Sequence, residues 1–156
     1  MLKGVKVIEL IDKSDERGSF AELFRQDWGE AEEDRIKQIN RSISYPGKIR
    51  AWHRHLRGQV DYIFCLKGDL KVCIYDDRID SESKGQLDEI IIRDKIMEII
   101  RIPGFYWHGT KCIGNEPCIV MYFVTKLYDY KNPDEERRPG DDPRIIDPRT
   151  GKKYEW

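Results

Sequence analysis

The sequence predicts an all-β protein, a sandwich or barrel of short, mostly antiparallel strands. Apolar runs of strand length recur along the 156 residues. Many are rich in Ile, Val, Tyr and Phe, which suit a pleated, half-buried surface. Turn residues separate the runs, and helical stretches are nearly absent, which favours a sandwich or barrel. The length fits one domain with a substantial core.

In chain order, the first expected strand is Val5 to Ile11. A short helical turn is expected over Glu30 to Arg35, then a strand over Ile36 to Ile43. Val60 to Leu66 and Leu70 to Tyr75 flank Lys67-Gly68-Asp69, which reads as a hairpin turn. Ile90 to Ile92, Ile96 to Ile102 and Ile119 to Val124 complete the strands. Gly114, Asn115, Glu116 and Pro117 read as a second hairpin turn before the last of these. Residues 132–156 carry Pro133, Pro139, Pro143 and Pro148 amid charges. Proline removes ladder donors, so this segment is expected as an extended arm packed on the domain formed by residues 1–131.

The 28 basic and 29 acidic side chains leave a net charge of −1. That balance argues against nucleic acid or an anionic membrane surface as partner. No apolar run approaches the length of a membrane span, and the first residues do not read as a signal peptide. A cytoplasmic location is therefore expected. Cys65, Cys73, Cys112 and Cys118 form no CxxC pair, which argues against a zinc knuckle or a thioredoxin-like motif. Cys65 and Cys73 read as buried thiols. Cys112 and Cys118 flank the second turn, so a cross-strand disulfide there stands as an alternative to the free thiols of a reducing compartment.

The most informative stretch is Gly47 to Asp61, where His53 and His55 stand two apart. Side chains i and i+2 of a strand share one face, so on a strand both imidazoles enter one cavity. His108, the remaining histidine, follows Pro103-Gly104. Three neutral imidazoles and the Asp61 carboxylate make a first shell suited to Fe, Mn, Ni or Zn. Alternatively one histidine acts as a general base, since its ordinary pKa of about 6.5 lies near working pH. A third reading leaves all three as hydrogen-bonded interior residues without chemistry.

This pattern resembles the two cupin motifs, with Gly47, His53, His55, Asp61 and Gly68 in the first and Pro103, Gly104 and His108 in the second. The resemblance implies a cupin-type double-stranded β-helix, or jelly-roll barrel. Further segments resemble the dTDP-4-dehydrorhamnose 3,5-epimerase family of nucleotide-sugar enzymes. They are Asp15 to Arg25, Gln38 to Ser44, Gly47 to His53, Asp77-Arg78 with Ser81, Ser83 and Gly85, Ile102 to Gly109, and Tyr122 with Thr125, Tyr128, Pro133 and Glu135. They span roughly residues 5 to 143 in the family's order.

The resemblance implies an isomerase that removes a proton α to the C4 ketone of a dTDP-linked 4-keto-6-deoxy-hexose, without a cofactor. His53 would be the base and Tyr122 the acid on the opposite face. Arg50 would stabilise the enolate, and His108 would hydrogen-bond in the same pocket. Gln38 and Asn40 would hold the sugar and its phosphate. Arg17, Phe20 and Glu22 belong to the substrate-binding set. Arg17 would reach the diphosphate and Phe20 the nucleotide, both from the neighbouring subunit of a homodimer. The sequence departs from the family at Asp61, where a lysine is usual, and at His55, which has no usual counterpart. The family's histidine is also paired with a C-terminal carboxylate that has no clear match here. Asp61 would orient His53 or His55 in its stead. The alternative is a metal-dependent cupin, a dioxygenase or metal-assisted isomerase, with one divalent ion on His53, His55, Asp61 and His108. A non-catalytic sugar-binding cupin is the remaining reading.

Overall fold

A computed structural model describes residues 1–29 and 33–156. The strands are β1 (Lys6–Glu9), β2 (Asp12–Asp15), β3 (Gly18–Ala21), β4 (Gln38–Ser44), β5 (Ile49–Arg54), β6 (Val60–Lys67) and β7 (Asp69–Tyr75). They continue as β8 (Leu87–Arg93), β9 (Glu98–Pro103), β10 (Trp107–Cys112), β11 (Cys118–Val124), β12 (Glu136–Arg137), β13 (Ile146–Asp147) and β14 (Lys152–Lys153). Two five-stranded antiparallel sheets, ordered β1-β9-β6-β11-β4 and β12-β5-β10-β7-β8, face each other as a jelly roll. Two small hairpins, β2-β3 and β13-β14, lie outside them.

Both expected hairpin turns are corrected. β6 and β7 belong to different sheets, so the chain turns a corner at Gly68 and crosses the core. The same is true of β10 and β11 around residues 113–117. The physical reason is burial on both faces. Ile63 and Cys65 of β6 pack inward with Leu70, Val72 and Ile74 of β7. Tyr62 and Phe64 of β6 pack in a separate cluster with Leu10, Ile99 and Phe123, against Leu23, Phe24 and Trp28. A strand covered on both sides reads as a continuous apolar run, which hides its direction of travel. Cys112 and Cys118 meet across this corner as free thiols, Sγ to Sγ 3.0 Å, and not as a disulfide.

Residues 30–32 of the expected helical turn lie outside the described residues, and 33–35 hold no helix. Asp34 is instead tied down as a chain-to-sheet clamp. It accepts hydrogen bonds from Tyr62 Oη (2.8 Å) and Arg101 Nη2 (3.1 Å). No helix occurs among the described residues.

The C-terminal segment runs along β5. Its β12 pairs with that strand, and Trp52 and Arg138 exchange two backbone hydrogen bonds of 2.8 Å. Ile145 and Tyr154 are buried with Trp52, Cys73 and Trp107. Arg54 and Arg138 sit over the Trp107 ring at 4.5 and 4.0 Å, and both pair with Asp77. These contacts fix the wall that carries His53.

Candidate active site

One end of the barrel is apolar inside and the other is polar, and the switch is written in the period of each strand. On β6 the inward positions are Asp61, Ile63 and Cys65, so an acid replaces an apolar residue only at the open end. On β11, Cys118 and Val120 give way to Tyr122. β4 turns Gln38, Asn40 and Ser42 to the same side, and β10 contributes His108 and Thr110. A cavity of about 370 Å³ opens there, lined by Gln38, Asn40, His53, His55, Asp61 and Tyr122 among others. A neighbouring cavity of about 460 Å³ shares Asn40, His53, Tyr122 and Glu135 and adds Arg41, Arg50, Arg137 and Arg138.

β5 reaches this cavity through a bulge. His53 lies opposite His108, but Arg50 lies opposite Thr110, so three steps along β5 match two along β10. A bulge re-aims side chains, and both His53 and Arg50 line the arginine-bearing cavity. The strand ends at Arg54, so His55 stands just past it. Its backbone N–H donates to Gly104 O at 2.6 Å, and Gly104 N–H donates to Gln59 O at 2.8 Å. A side chain at 104 would put a Cβ 2.5 Å from Gln59 O and 2.9 Å from His55 Cβ, so the Pro-Gly turn needs its glycine to seat His55.

The three imidazoles converge. Ring centroids lie 4.3 Å apart for His53 and His108, 5.8 Å for His55 and His108, and 6.1 Å for His53 and His55. His108 and Asp61 are buried, and His55 nearly so. His108 Nδ1 lies 2.9 Å from Tyr106 O and His55 Nδ1 lies 2.7 Å from Asp134 O. A carbonyl only accepts, so both Nδ1 atoms carry the proton. Both Nε2 atoms then face Asp61 Oδ2, at 3.2 Å for His108 and 3.6 Å for His55. Gln59 Nε2 donates to the other carboxylate oxygen at 2.7 Å. Although burial opposes charge on Asp61, its hydrogen bond with His108, the nearness of both imidazoles and the Gln59 amide keep its carboxyl below the ordinary range.

His53 differs in kind. Burial, reinforced by the neighbouring His108, lowers its pKa well below 6.5, so it stands neutral near pH 7 with a lone pair to offer. Across the cavity, burial raises the Tyr122 phenol above its ordinary 10, so it keeps its proton. Tyr122 Oη lies 3.2 Å from Ser42 Oγ. Arg50 donates to Ser44 Oγ at 3.0 Å and to Ile43 O at 3.1 Å. Gln38 Nε2 donates to Asn40 Oδ1 at 2.8 Å.

The structure thus gathers His53, His55, Asp61, His108, Tyr122, Arg50, Gln38 and Asn40 at one end of the barrel. Of the two histidines that Asp61 was expected to orient, its near contact is to His55 at 3.6 Å, and its shorter contacts go to His108 and Gln59. The structure leaves Arg17, Phe20 and Glu22 away from the two cavities that His53 lines, and Phe20 and Glu22 instead line a separate cavity of about 310 Å³ with Leu10 and Trp28. Arg17 sits on the β2-β3 hairpin paired with Asp15, Phe20 is 65% exposed, and Glu22 pairs with Arg25. Gln59, Asp134 and Arg137 were not singled out by sequence reasoning. Their signal is positional: a glutamine two before an inward acid, and charges in a proline-spaced tail.

The donor set His55, Asp61 and His108 fits a divalent cation, with donor atoms all within 4.8 Å of one another. His53 is not part of that group.

A family model described as dTDP-4-dehydrorhamnose 3,5-epimerase matches residues 1–146. The chain is 50% identical over 137 residues to the probable low-salt glycan biosynthesis epimerase Agl13 of Haloferax volcanii, covering 88% of this chain and 87% of that protein. The dTDP sugar isomerase structure from Desulfovibrio desulfuricans G20 aligns at a TM-score of 0.83 and 25% identity, covering 97% of this chain and 94% of that one. An epimerase from Legionella pneumophila in complex with dTDP-4-keto-L-rhamnose aligns at 0.81 and 27% identity, covering 92% and 77%. The shared cupin-type jelly roll and a match over nearly the whole length establish that the chain belongs to the dTDP-4-dehydrorhamnose 3,5-epimerase family, as a sugar epimerase of the isomerase class.

Proposed function

We propose that the protein epimerises a dTDP-linked 4-keto-6-deoxy-hexose by proton exchange at a carbon α to the C4 ketone. The observation that carries this reading is the placement of His53 and Tyr122 on opposite sheets, both lining the same cavity. A neutral imidazole on one wall can take the α proton as its C–H bond breaks, leaving an enolate. A protonated phenol on the other wall can return a proton to the opposite face of the planar enolate. Deprotonation on one face and protonation on the other inverts the carbon, and solvent restores both groups. Acid and base suffice for these transfers, so the exchange itself calls on no cofactor.

Charge on the enolate oxygen needs fixed positive partners in a site shielded from water. Arg50 is one. With Arg41, Arg137 and Arg138 it also gives the adjoining cavity a basic lining suited to a diphosphate. Gln38 and Asn40 present amide groups for sugar hydroxyls. The exposed β2-β3 hairpin carries Arg17 and Phe20 outward, as a donation to a partner's cavity requires, and we place the active form as a homodimer. The four free thiols agree with a cytoplasmic setting.

The test is solvent deuterium incorporation into dTDP-4-keto-6-deoxyglucose, followed by mass and by NMR at C3 and C5. Binding without incorporation overturns catalysis and leaves the sugar-binding reading.

A further inference from the structure

We propose that His55, Asp61 and His108 form a binding site for one first-row divalent cation, and that His53 is excluded from its ligands. The three histidines would then divide two tasks, two holding a cation and one moving a proton.

The argument rests on the donor atoms. His108 Nε2 and His55 Nε2 lie 3.2 and 3.6 Å from one oxygen of Asp61. Ligands held at about 2.0–2.2 Å from a shared cation lie roughly 3–3.5 Å apart. Both imidazole–carboxylate spacings match such a pair of ligands closely, and the three donors together lie within 4.8 Å of one another.

The far side of every donor is already fixed. Each histidine gives its Nδ1 proton to a backbone carbonyl, Tyr106 O for His108 and Asp134 O for His55. Gln59 holds the second oxygen of Asp61. A ring N–H anchored on a carbonyl fixes the tautomer and aims the other nitrogen's lone pair, which is the usual outer arrangement of metal-binding histidines.

Charge points the same way. Two Nε2 lone pairs facing a carboxylate oxygen repel it unless something positive lies between. One divalent cation satisfies all three donors at once. Two imidazoles and one carboxylate suit Zn²⁺, Co²⁺, Ni²⁺, Mn²⁺ or Fe²⁺. His55 and Asp61 line the cavity, so the site has an open side. A bound cation would supply positive charge on the wall where Asp61 stands. That role rests on the proposed function, whereas cation binding stands on the donor set alone.

The test uses the full-length protein, stripped by chelator, desalted and titrated with Co²⁺. The readouts are visible d–d absorption and bound-metal stoichiometry by elemental analysis. One saturable equivalent is expected in the parent and in His53→Ala. His55→Gln and Asp61→Asn should bind at least 10-fold more weakly, each checked for folding by circular dichroism. His55→Gln changes the site's edge and guards against misfolding of the more buried Asp61→Asn. No binding by the parent overturns the site, and so does equal binding by parent and both ligand variants. Loss in His53→Ala with retention in His55→Gln overturns the division of roles. A protein that binds Co²⁺ but does not exchange deuterium keeps this site and refutes the proposed function. The reverse result does the opposite.

Discussion

Gly109→Ala probes how closely β5 and β10 must approach for the site to form. A Cβ at position 109 would lie 2.3 Å from Ala51 Cβ, 2.8 Å from Ala51 Cα and 2.9 Å from Arg50 O. Ordinary van der Waals contact begins at 3.4 Å. Two of these neighbours are backbone atoms, so no flexible side chain can yield, and the strands must part by about 1 Å. Overpacking of this kind costs about 1–3 kcal/mol. For a domain of this size that lowers Tm by roughly 2–12 °C. The displaced strand carries His53 and Arg50, and the strand that carries His108 is its neighbour. Misplacing a reacting group by about 1 Å can cost on the order of 100-fold. Calorimetry should therefore show the Tm loss, and the exchange assay a fall in kcat/KM of roughly 10–100-fold. Gly29→Ala is the control, since among the described residues nothing lies within 4 Å of its added Cβ, and its stability should stay within about 0.5 kcal/mol. A Gly109→Ala variant as stable and as active as the parent would refute the claim that this contact sets the site.

In chelator-treated protein, kcat/KM for exchange should be level across neutral pH. His53 is held below 6.5, so its basic form is lost only as pH falls beneath that value. Tyr122 is held above 10, so its acidic form is lost only at higher pH; a profile peaking sharply near pH 7 would contradict both assignments. Asp34→Ala strands the part-buried guanidinium of Arg101 and removes an acceptor from Tyr62. Breaking such a pair costs about 3 kcal/mol, readable by urea denaturation, with exchange activity per folded molecule little changed. Arg50→Ala removes one positive partner of the enolate, so kcat should drop about 100-fold or more with a smaller change in KM. A pure KM effect would make Arg50 a binding residue only.

The sequence made the site more legible than the path of the chain. His53, His55 and His108 could be grouped because period-two spacing and a Pro-Gly turn restrict where side chains go. The inward acid Asp61 stood out in an apolar run. The corners at residues 68 and 113–117 were misread as hairpins, because short turn signals look alike whether the next strand pairs with its neighbour or crosses to the facing sheet. His55 was placed on the strand, whereas Gly104 pulls it past the strand end into the same cavity. The bulge that brings Arg50 to the side of His53 depends on register between β5 and β10, which no local pattern reports. Asp134 and Gln59 were missed for a related reason. Each acts by fixing the outer side of a histidine or a carboxylate, a relation made only by tertiary contact.

The most direct measurement is deuterium incorporation into dTDP-4-keto-6-deoxyglucose by parent, His53→Ala and Tyr122→Phe. Removing a positioned acid or base typically costs about 10²–10⁴-fold. The account expects exchange in the parent, loss of that order in His53→Ala, and in Tyr122→Phe continued exchange with little inversion. Exchange undiminished in His53→Ala would contradict it, because the barrel would then carry its base somewhere else.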